Sequence, residues 1–381
     1  MNKLIFIPAY KPDARLTELC RSLSGTYHVL VVDDGSGSEF DGVFSSTEEF
    51  ATVLRYKKNR GKGGALKYGY SKIKELFPDA EYVITADADG QHTPDDIAKV
   101  ADMVEREGGL VLGSREFTGK VPARSAFGNS LTRFVFRIAS GTKVRDTQTG
   151  LRAFGVGYLD KFSSLKGNRY EYEMTQLMYA AQNKIPIREV AIETIYENNN
   201  ETSHFHPVRD SIKIYWIIYL NSTFLKFCTS SIIAFVIDAF LFMILKKTVF
   251  TSEYVFERPE FIRDVLTGSS LATATAWIVS SFVNFNLNKL WAFRSDKNYL
   301  SSLIEYYSLS VISILVKSFV LMSVFVNLNE RLNLHVPSIV QYFIAGTIMV
   351  FINYFVQKKF VFNKKEKTDK SARKEKMSGR A

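Results

Sequence analysis

The chain has 381 residues, which leaves room for two or three domains, and a formal net charge of +10. Most of the basic excess lies in one segment, because ten Lys or Arg stand against three acidic residues from Lys358 to the end. A basic tail over 363–381 at a membrane surface explains this excess, so no nucleic-acid partner is needed. Cys20 and Cys228 show neither disulfide nor metal-site spacing.

Residues 1–206 alternate short apolar runs with helical patterns, which predicts an α/β fold with a mostly parallel, doubly wound sheet. The first run, at 4–7, is too short for a signal peptide and is expected to be a strand. Helices are expected from about Asp13, after the glycine-rich loop 59–64, and from Pro94. The predicted strands are 3–7, 29–33, 51–56, 82–84 and 110–112.

Two acidic pairs follow predicted strands of this sheet. Asp33 and Asp34 end the second strand, and Asp87 and Asp89 follow the strand at 82–84. Ligands of open α/β sheets bind outside the carboxyl ends of strands, so both pairs are expected to face one crevice. Carboxylates at i and i+2 suit a hard divalent cation that shares its remaining positions with substrate phosphates. A turn at the Asp-Gly step after Ala88 is the simpler alternative.

Two later segments mix aromatic or aliphatic residues with basic ones. The segment 123–140 is expected to form an amphipathic helix at a membrane interface, and the alternative is a helix packed on the sheet. The segment 207–222 is expected to form a second interfacial helix next to the membrane. It leads directly into the first of four long apolar stretches.

Each apolar stretch within 223–362 is near the ~20 residues that cross a bilayer as a helix. Basic residues after the second and fourth stretches place those ends in the cytoplasm by the positive-inside rule. The chain is therefore expected to be an integral protein of the cell membrane, with its N-terminal domain and basic tail in the cytoplasm. The first and third stretches contain Asp238 and Lys317, which are predicted to form a buried ion pair. The four stretches are 227–245, 266–288, 308–327 and 336–357.

The apolar half also contains an internal repeat. Residues 282–293 align with 351–362 through shared Asn, aromatic and Lys positions. Anchoring of aromatic and basic residues at a membrane boundary explains part of this match. The shared Asn and register predict two helical hairpins that repeat in parallel orientation.

Four motifs, taken together and in order, resemble family 2 glycosyltransferases of the GT-A fold. They are Ile7-Pro8-Ala9-Tyr10, Val32-Asp33-Asp34-Gly35-Ser36, Gly61-Lys62-Gly63-Gly64 and Asp87-Ala88-Asp89-Gly90-Gln91. More narrowly, they resemble polyprenyl-phosphate sugar synthases, and the segment 146–150 is closer to the glucose-type branch than to the mannose-type. The apolar half resembles the GtrA-like four-span domain. The resemblance implies a Rossmann-like GT-A catalytic domain over 1–206 and an all-α four-helix transmembrane domain over 223–362.

The resemblance also implies roles for single residues. Asp87 and Asp89 would be catalytic together with Arg115, and Mg²⁺ or Mn²⁺ would bind to Asp87, Asp89 and Gln91. The family often has an acidic residue two positions after the tyrosine, where this chain has Pro12. The residues expected to contact the nucleotide-sugar are Pro8, Ala9, Tyr10, Val32, Asp34, Lys62, Asp87, Ala88 and Asp89.

Guanidinium groups bind phosphate oxygens bidentately, so several arginines are candidates for the acceptor phosphate. The candidates are Arg115, Arg124, Arg133 and Arg152, together with His204, which stands where mannose-type relatives carry a basic lid. Each arginine could instead be only a surface charge. Tyr10 could be an aromatic residue of the core, and Lys62 could lie in a plain turn without contacting the nucleotide. Glu171 and Glu173 are candidates for orienting the donor sugar, and a solvated helix start is the stronger alternative for both.

The expected function is an inverting, metal-dependent glycosyltransferase that moves a sugar from a UDP- or GDP-linked donor to polyprenyl phosphate. A glucose-type sugar is favoured, and the product would serve cell-envelope or protein glycosylation. A phosphate monoester is already anionic, so no general base is expected. The alternatives are a lipid-linked-sugar binding or flipping module with a degenerate transferase domain, or transfer to another lipid acceptor. Membrane lipids are expected partners, and a homo-oligomer is compatible with the sequence.

Two other enzyme classes fit less well. A processive polysaccharide synthase typically carries Gln-x-x-Arg-Trp, and no tryptophan of this chain follows an arginine. A sugar nucleotidyltransferase needs an early glycine-rich loop, whereas the first glycine here is Gly25.

Overall fold

The computed structural model describes residues 2–115, 123–193, 207–249, 268–332 and 336–363. They fall into two compact units, Met1–Ser222 and Thr223–Ala381. The side chain of Arg124, His204 and the basic tail from residue 364 lie outside the described residues.

The first unit is built on a seven-stranded sheet with the order β3-β2-β1-β4-β6-β5-β7. Every pairing is parallel except those of β6, which runs antiparallel to both β4 and β5. This confirms the predicted mostly parallel α/β fold. The strands are β1 (Lys3–Ala9), β2 (His28–Asp33), β3 (Thr52–Arg55), β4 (Tyr82–Thr85), β5 (Leu110–Arg115), β6 (Arg152–Gly155) and β7 (Ile187–Ile192).

The central strands are covered on both faces, which explains why their sequences are continuous apolar runs instead of alternating ones. The side chains of Leu4, Ile5, Phe6 and Ile7 in β1 are all fully buried. Strands β1 and β2 pair from Leu4 opposite His28 to Ala9 opposite Asp33, so both end at the same edge. Five strands were predicted from such runs, and all five are present with ends moved by a few residues.

Helices cover the sheet, and polar side chains fix where they begin. The Asp13 carboxylate accepts a hydrogen bond from the Arg15 backbone N–H at the start of α1, and the Thr93 hydroxyl accepts one from Asp96 before α4. The remaining helices of this unit follow the strands in order. The helices are α1 (Ala14–Ser24), α2 (Asp41–Thr47), α3 (Lys62–Leu76), α4 (Pro94–Glu107), α5 (Ala123–Ser140), α6 (Leu159–Ser163), α7 (Glu171–Gln182) and α8 (Pro207–Asn221).

Helices α5 and α8 form at the two segments with mixed apolar and basic residues, and they pack on each other. The Thr132 and Tyr215 hydroxyls lie 3.3 Å apart. Helix α5 buries Phe136 but leaves Phe134 61% exposed. Helix α8 exposes an apolar side chain at every fourth position. Residues four apart lie on the same helix face, so these side chains form one apolar stripe. The stripe consists of Val208, Ile212, Trp216 and Leu220.

The second unit contains helices at all four predicted apolar stretches. Two of them, Thr223–Thr248 and Tyr299–Arg331, are long and apolar enough to cross a membrane. The four-span arrangement stays a prediction for the other two. The helices are α9 (Thr223–Thr248), α10 (Gly268–Leu287), α11 (Tyr299–Leu315), α12 (Met322–Arg331) and α13 (Ser338–Val356), with π-helical turns at Asn288–Ala292, Val316–Leu321 and Gln357–Val361.

The internal repeat is confirmed by matching geometry. Both copies end in a π-helical turn in the same register, Asn288–Ala292 in one and Gln357–Val361 in the other. Aligned residues contact each other, because the Asn288 side-chain amide donates to Gln357 Oε1 at 3.3 Å. The ring contacts are also reciprocal: Phe285 lies 5.8 Å from Phe362, and Phe293 lies 6.0 Å from Tyr354. The two copies are therefore related by an approximate two-fold arrangement.

The predicted ion pair between Asp238 and Lys317 is wrong. Asp238 Oδ1 accepts a hydrogen bond from the Ser280 hydroxyl at 2.9 Å, whereas Lys317 Nζ lies beside Gly346 on α13. The repeat explains this, because each residue belongs to the first helix of its own hairpin and faces that hairpin's second helix. The sequence showed two opposite charges in apolar helices but not which neighbour each one faces.

Candidate functional site

The carboxyl ends of β1 and β2 are tied together around Asp34, which is 3% exposed. Its backbone N–H donates to the Ala9 carbonyl at 2.8 Å. Its carboxylate accepts hydrogen bonds from the Tyr56 hydroxyl at 2.6 Å, the Asn59 side chain at 3.0 Å and the Arg60 backbone N–H at 2.7 Å. Asp34 therefore holds the loop that follows β3, and its direct contact with a nucleotide stays a prediction.

Burial raises the pKa of the Asp34 carboxyl, although the hydrogen bonds from Tyr56 and from the backbone oppose this. The neighbouring Asp33 carboxylate adds to the upward shift. Asp33 itself is balanced by Arg55, whose Nε donates to it at 3.0 Å. The two acidic residues thus have different partners, and both order the same edge of the sheet.

Asp87, just after β4, is part of a partly buried ionic network with Lys62 and Glu173. The Lys62 ammonium lies 2.6 Å from Asp87 Oδ1 and 2.9 Å from Glu173 Oε1. Burial alone would raise the pKa of the Asp87 carboxyl, but Lys62 and the nearby His92 hold this pKa well below its usual value. His92 is itself 6% exposed, and its Nε2 lies 3.5 Å from Asp87 Oδ2. The network joins β4, α3 and α7.

Two expectations change at this network. Lys62 does not lie in a turn before α3 but is the first residue of that helix, and its ammonium bridges two carboxylates. Glu173 is not at a solvated helix start, because only 8% of its side chain is exposed. Glu171 instead accepts backbone hydrogen bonds from Asn168 and Arg169 before α7.

The glycine-rich motif is explained by close packing of α3 on this network. Gly61 has φ +84°, and a Cβ there would lie 2.5 Å from the Asn168 carbonyl oxygen. The same carbonyl accepts the Gly64 backbone N–H at 2.9 Å. Residues without a Cβ let the start of α3 approach the segment before α7, which brings Lys62 to its carboxylate partners.

Asp89 lies two residues beyond Asp87, and Asp89 Oδ1 accepts the Gln91 backbone N–H at 3.1 Å. Burial and the Asp87 carboxylate both raise the pKa of the Asp89 carboxyl. Within the described ranges no group of three or more His, Cys, Asp or Glu side chains is arranged to hold a metal. The oxygen donors of Asp87, Asp89 and Gln91 are of the type that Mg²⁺ or Mn²⁺ binds together with substrate phosphates, and metal binding at these three residues stays a prediction.

Arg115, at the end of β5, is held by a buried carboxylate. Its Nε and Nη2 donate to Asp146 at 2.6 and 3.1 Å, and Asp146 is fully buried. The Asp146 carboxylate also accepts the Gln148 backbone N–H at 3.0 Å. The segment 146–150 thus fixes the Arg115 side chain, of which 22% is exposed.

Arg152 does not fit the predicted role in binding the acceptor phosphate. It is 1% exposed, and its guanidinium donates to the backbone carbonyls of Thr149 at 2.9 Å and Glu173 at 2.6 Å. The sequence showed only an arginine near a motif, whereas burial in β6 makes it a bridge between the segment 146–150 and α7. Arg133 is half-buried on α5, and its role stays a prediction.

The remaining predicted nucleotide contacts lie along the ends of β1, β2 and β4. Val32 is fully buried and pairs with Pro8 on one side and Leu54 on the other, so its contact with a nucleotide stays a prediction. Ala9 is 1% exposed, whereas Pro8, Tyr10 and Ala88 are partly exposed. The structure brings these residues to one edge of the sheet, as the strand pattern predicted.

Sequence reasoning missed Gly150, which packs directly against the Asp87 carboxylate. A Cβ at Gly150 would lie 2.4 Å from Asp87 Oδ2, closer than Cβ atoms approach other atoms. The Thr85 hydroxyl also donates to the Gly150 carbonyl at 2.9 Å, which locks the segment 146–150 onto β4. The glycine at the end of the motif was visible in the sequence, but its neighbour was not.

Gly150→Ala should therefore displace the Asp87 carboxylate while leaving the sheet intact. We expect turnover to fall by about 100-fold, because displacing a positioned catalytic group by about 1 Å can have an effect of that size. Gly157→Ala is the matched control, because nothing lies within 4 Å of a Cβ at that position. Equal turnover of the two variants in a sugar-transfer assay would contradict this placement of Gly150.

Comparison with known proteins gives two family matches, one in each unit. Residues 4–160 match the family described as "Glycosyl transferase family 2". Residues 226–362 match the family described as "GtrA/DPMS, transmembrane domain".

Individual relatives align with about the first half of the chain. The UDP-N-acetylglucosamine–dolichyl-phosphate N-acetylglucosaminyltransferase of Methanococcus voltae is 34% identical over 221 residues, which cover 51% of this chain and 87% of that protein. The human dolichyl-phosphate beta-glucosyltransferase is 29% identical over 49% of this chain and 65% of its own length. The polyprenol monophosphomannose synthase of Mycolicibacterium smegmatis is 27% identical, with 50% and 76% covered.

Proposed function

This chain belongs to glycosyltransferase family 2 and carries a GtrA/DPMS transmembrane domain, and we propose that it transfers a sugar from a nucleotide donor to a polyprenyl phosphate. The transfer takes place at the cytoplasmic face of the membrane. An oxygen of the acceptor phosphate attacks the anomeric carbon of the sugar, and the bond from that carbon to the nucleoside diphosphate breaks. The products are a polyprenyl-phosphate sugar with inverted anomeric configuration and a free nucleoside diphosphate.

The observation that carries this proposal is the carboxylate pair at the end of β4. Asp87 is fixed by Lys62, whereas the pKa of the Asp89 carboxyl is raised by burial and by Asp87. Two partly buried carboxylates at the carboxyl end of a parallel sheet favour a cation that also binds the phosphates of a ligand. A divalent cation bound there would neutralise the charge that develops on the departing nucleoside diphosphate.

The protein's own residues then serve mainly to position the substrates. Asp34 orders the loop 56–60 beside the sheet edge, where the nucleoside is expected. Arg115 carries a guanidinium fixed by Asp146 on a side chain that is 22% exposed, which suits a phosphate oxygen. No general base is required, because the acceptor phosphate is anionic at neutral pH.

A lipid acceptor is supported by the apolar surface of the first unit and by the apolar helix that follows it in the chain. The exposed stripe on α8 contains Ile212 and Trp216, with Lys213 and Arg209 on the same helix. An amphipathic helix with aromatic and basic residues suits the headgroup region of a bilayer. The chain continues directly into Thr223–Thr248, which is long enough to cross a membrane.

The nature of the sugar is the finer part of the proposal. The named relatives act on N-acetylglucosamine, glucose and mannose respectively, so the family match alone leaves the sugar open. We favour a glucose-type donor because the segment 146–150 resembles the glucose-type branch more than the mannose-type. This segment lies at the site, since it fixes Arg115 and abuts Asp87.

Purified protein incubated with undecaprenyl phosphate and a panel of UDP- and GDP-sugars should give one lipid-linked product by mass spectrometry. A product with a glucose-type sugar supports the full proposal, and a product with another sugar corrects the donor alone. EDTA should abolish product formation, and added Mn²⁺ or Mg²⁺ should restore it. Absence of any lipid-linked sugar with every donor would contradict the proposed function, and full activity in EDTA would contradict the metal.

A further inference from the structure

His92 is a buried polar side chain at the candidate site, and the proposed chemistry does not use it. The residue is 6% exposed and lies between Gln91 and the start of α4. Neither ring nitrogen has a hydrogen-bond partner among the residues that the structure describes. A neutral imidazole has one N–H donor and one acceptor nitrogen, so its burial without partners is unfavourable. An apolar side chain would fill the same space without this penalty, which indicates that the ring itself is needed.

The imidazole lies beside the Asp87 carboxylate. His92 Nε2 is 3.5 Å from Asp87 Oδ2, at the outer limit of a hydrogen bond. A nitrogen this close to a carboxylate oxygen carries the proton, so Nε2 is the donor and Nδ1 is the acceptor. Hydrogen bonds of catalytic sites are often long without substrate and shorten in the complex. A movement of about 0.5 Å would bring the two atoms to the usual hydrogen-bond distance.

Both oxygens of the Asp87 carboxylate have close neighbours. Oδ1 lies 2.6 Å from the Lys62 ammonium. Oδ2 is approached by His92 and by Gly150, where a Cβ would lie 2.4 Å away. Lys62 and Gly150 are far from Asp87 in the chain, whereas His92 follows it by five residues. Of these three neighbours, therefore, only His92 links Asp87 to the turn that comes directly after it.

This contact encloses the residues that are predicted to hold a cation. Asp87 and His92 flank Asp89 and Gln91 in the chain, so a hydrogen bond between them closes the segment 87–92 into a loop. Inside the loop, Asp89 Oδ1 accepts the Gln91 backbone N–H at 3.1 Å. The far end of the loop is fixed by the capped start of α4. Loss of the His92 contact would leave the loop attached at that end alone.

We propose that His92 is a positioning residue whose Nε2–H donates to Asp87 Oδ2 and holds the loop 87–92 in the conformation that binds the donor diphosphate with its cation. This inference rests on the proposed function, because it assigns His92 a part in donor binding. Removal of a group that hydrogen-bonds a metal-binding carboxylate typically lowers metal affinity or activity by about 10- to 100-fold. His92 acts through Asp87 and needs no contact of its own with the substrate.

The test uses two variants that differ by one methylene group. The side-chain nitrogen of glutamine reaches the position of Nε2, whereas that of asparagine reaches only the position of Nδ1. His92→Asn should therefore bind Mn²⁺ with UDP or GDP about 10- to 100-fold more weakly, measured by electron paramagnetic resonance, and His92→Gln should stay close to wild type. In His92→Asn kcat should fall in the same range, with the KM for undecaprenyl phosphate unchanged. His28→Asn is the matched control, because His28 is a partly exposed residue at the start of β2, whereas the site lies at the strand's end.

Hydrogen exchange of peptides from α4 separates positioning from stability. We expect equal protection of α4 in His92→Asn and His92→Gln, with loss of donor binding in His92→Asn alone. Equal loss of binding in both variants, or wild-type binding in His92→Asn, overturns the inference. A loss of binding that is matched by lost protection of α4 also overturns it.

Two further arms keep the test decisive. His92→Phe fills the same space without a donor and replaces His92→Asn if that variant does not fold, with the same loss expected. If wild type binds the nucleotide with Mn²⁺ but forms no lipid-linked sugar, the proposed function fails, and the binding data alone decide the role of His92.

Discussion

Asp89→Asn should lower sugar transfer by roughly 100-fold or more while leaving the fold intact. One negative ligand opposite the cation-bound diphosphate is lost, and such a cation contributes several kcal/mol to stabilising the transition state. Folding should survive because asparagine keeps an oxygen at the position that accepts the Gln91 backbone N–H. Burial and the Asp87 carboxylate raise the pKa of the Asp89 carboxyl, so a neutral side chain also removes a repulsion from Asp87.

Two measurements check this expectation. Turnover is measured with saturating donor and acceptor, and Mn²⁺ binding is measured separately by electron paramagnetic resonance of the protein with nucleoside diphosphate. The control is Asp95→Asn, because Asp95 is an exposed carboxylate in the first turn of α4. Wild-type Mn²⁺ binding and turnover in Asp89→Asn would remove Asp89 from the metal site.

Lys62→Met should destabilise the first unit. It leaves the Asp87 and Glu173 carboxylates without their shared cation. Removing one partner of a fully buried ion pair typically costs about 3–5 kcal/mol, and the partial exposure of Lys62 and Asp87 to water reduces that cost here. Adding Glu173→Gln removes one of the two uncompensated charges. The double variant should therefore lose less stability than the sum of the two single variants.

The destabilisation caused by Lys62→Met should also depend on pH. The pKa of the Asp87 carboxyl is held below its usual value, so the stabilisation is present above the unfolded-state pKa of about 3.9. It is lost as the pH falls below that value toward the lowered pKa of the folded state. The difference in unfolding free energy between wild type and Lys62→Met should therefore become smaller as the pH is lowered.

Hydrogen exchange of peptides from α3 and α7 measures the local free energy of opening at this network. Lys72→Met is the matched control, since Lys72 is an exposed lysine on α3 that pairs with the exposed Glu75. Water screens such a surface pair, so its loss should change exchange much less. Equal protection of Lys62→Met and Lys72→Met would show that the partly buried network does not stabilise this unit.

The sequence by itself determined the class of the fold and the edge at which the site lies. Parallel strands buried on both faces need continuous apolar runs, so β1, β2 and β4 were visible as patterns. Polar residues that follow such runs must lie at one edge of the sheet, which located Asp34, Asp87 and Asp89. The repeat was visible for a similar reason, since two helices with the same packing surroundings retain matching residues.

Only the tertiary structure decided which charges are partners. Lys62, Asp87 and Glu173 come from three separate elements, and nothing in their spacing indicates that they meet. The same holds for Arg115 with Asp146, for buried Arg152, and for Asp238, which faces Ser280 instead of Lys317. Strand and helix patterns depend on local periodicity, whereas ion pairs depend on contacts between residues far apart in the chain. Burial then decides whether such a charge binds a ligand or holds the protein together.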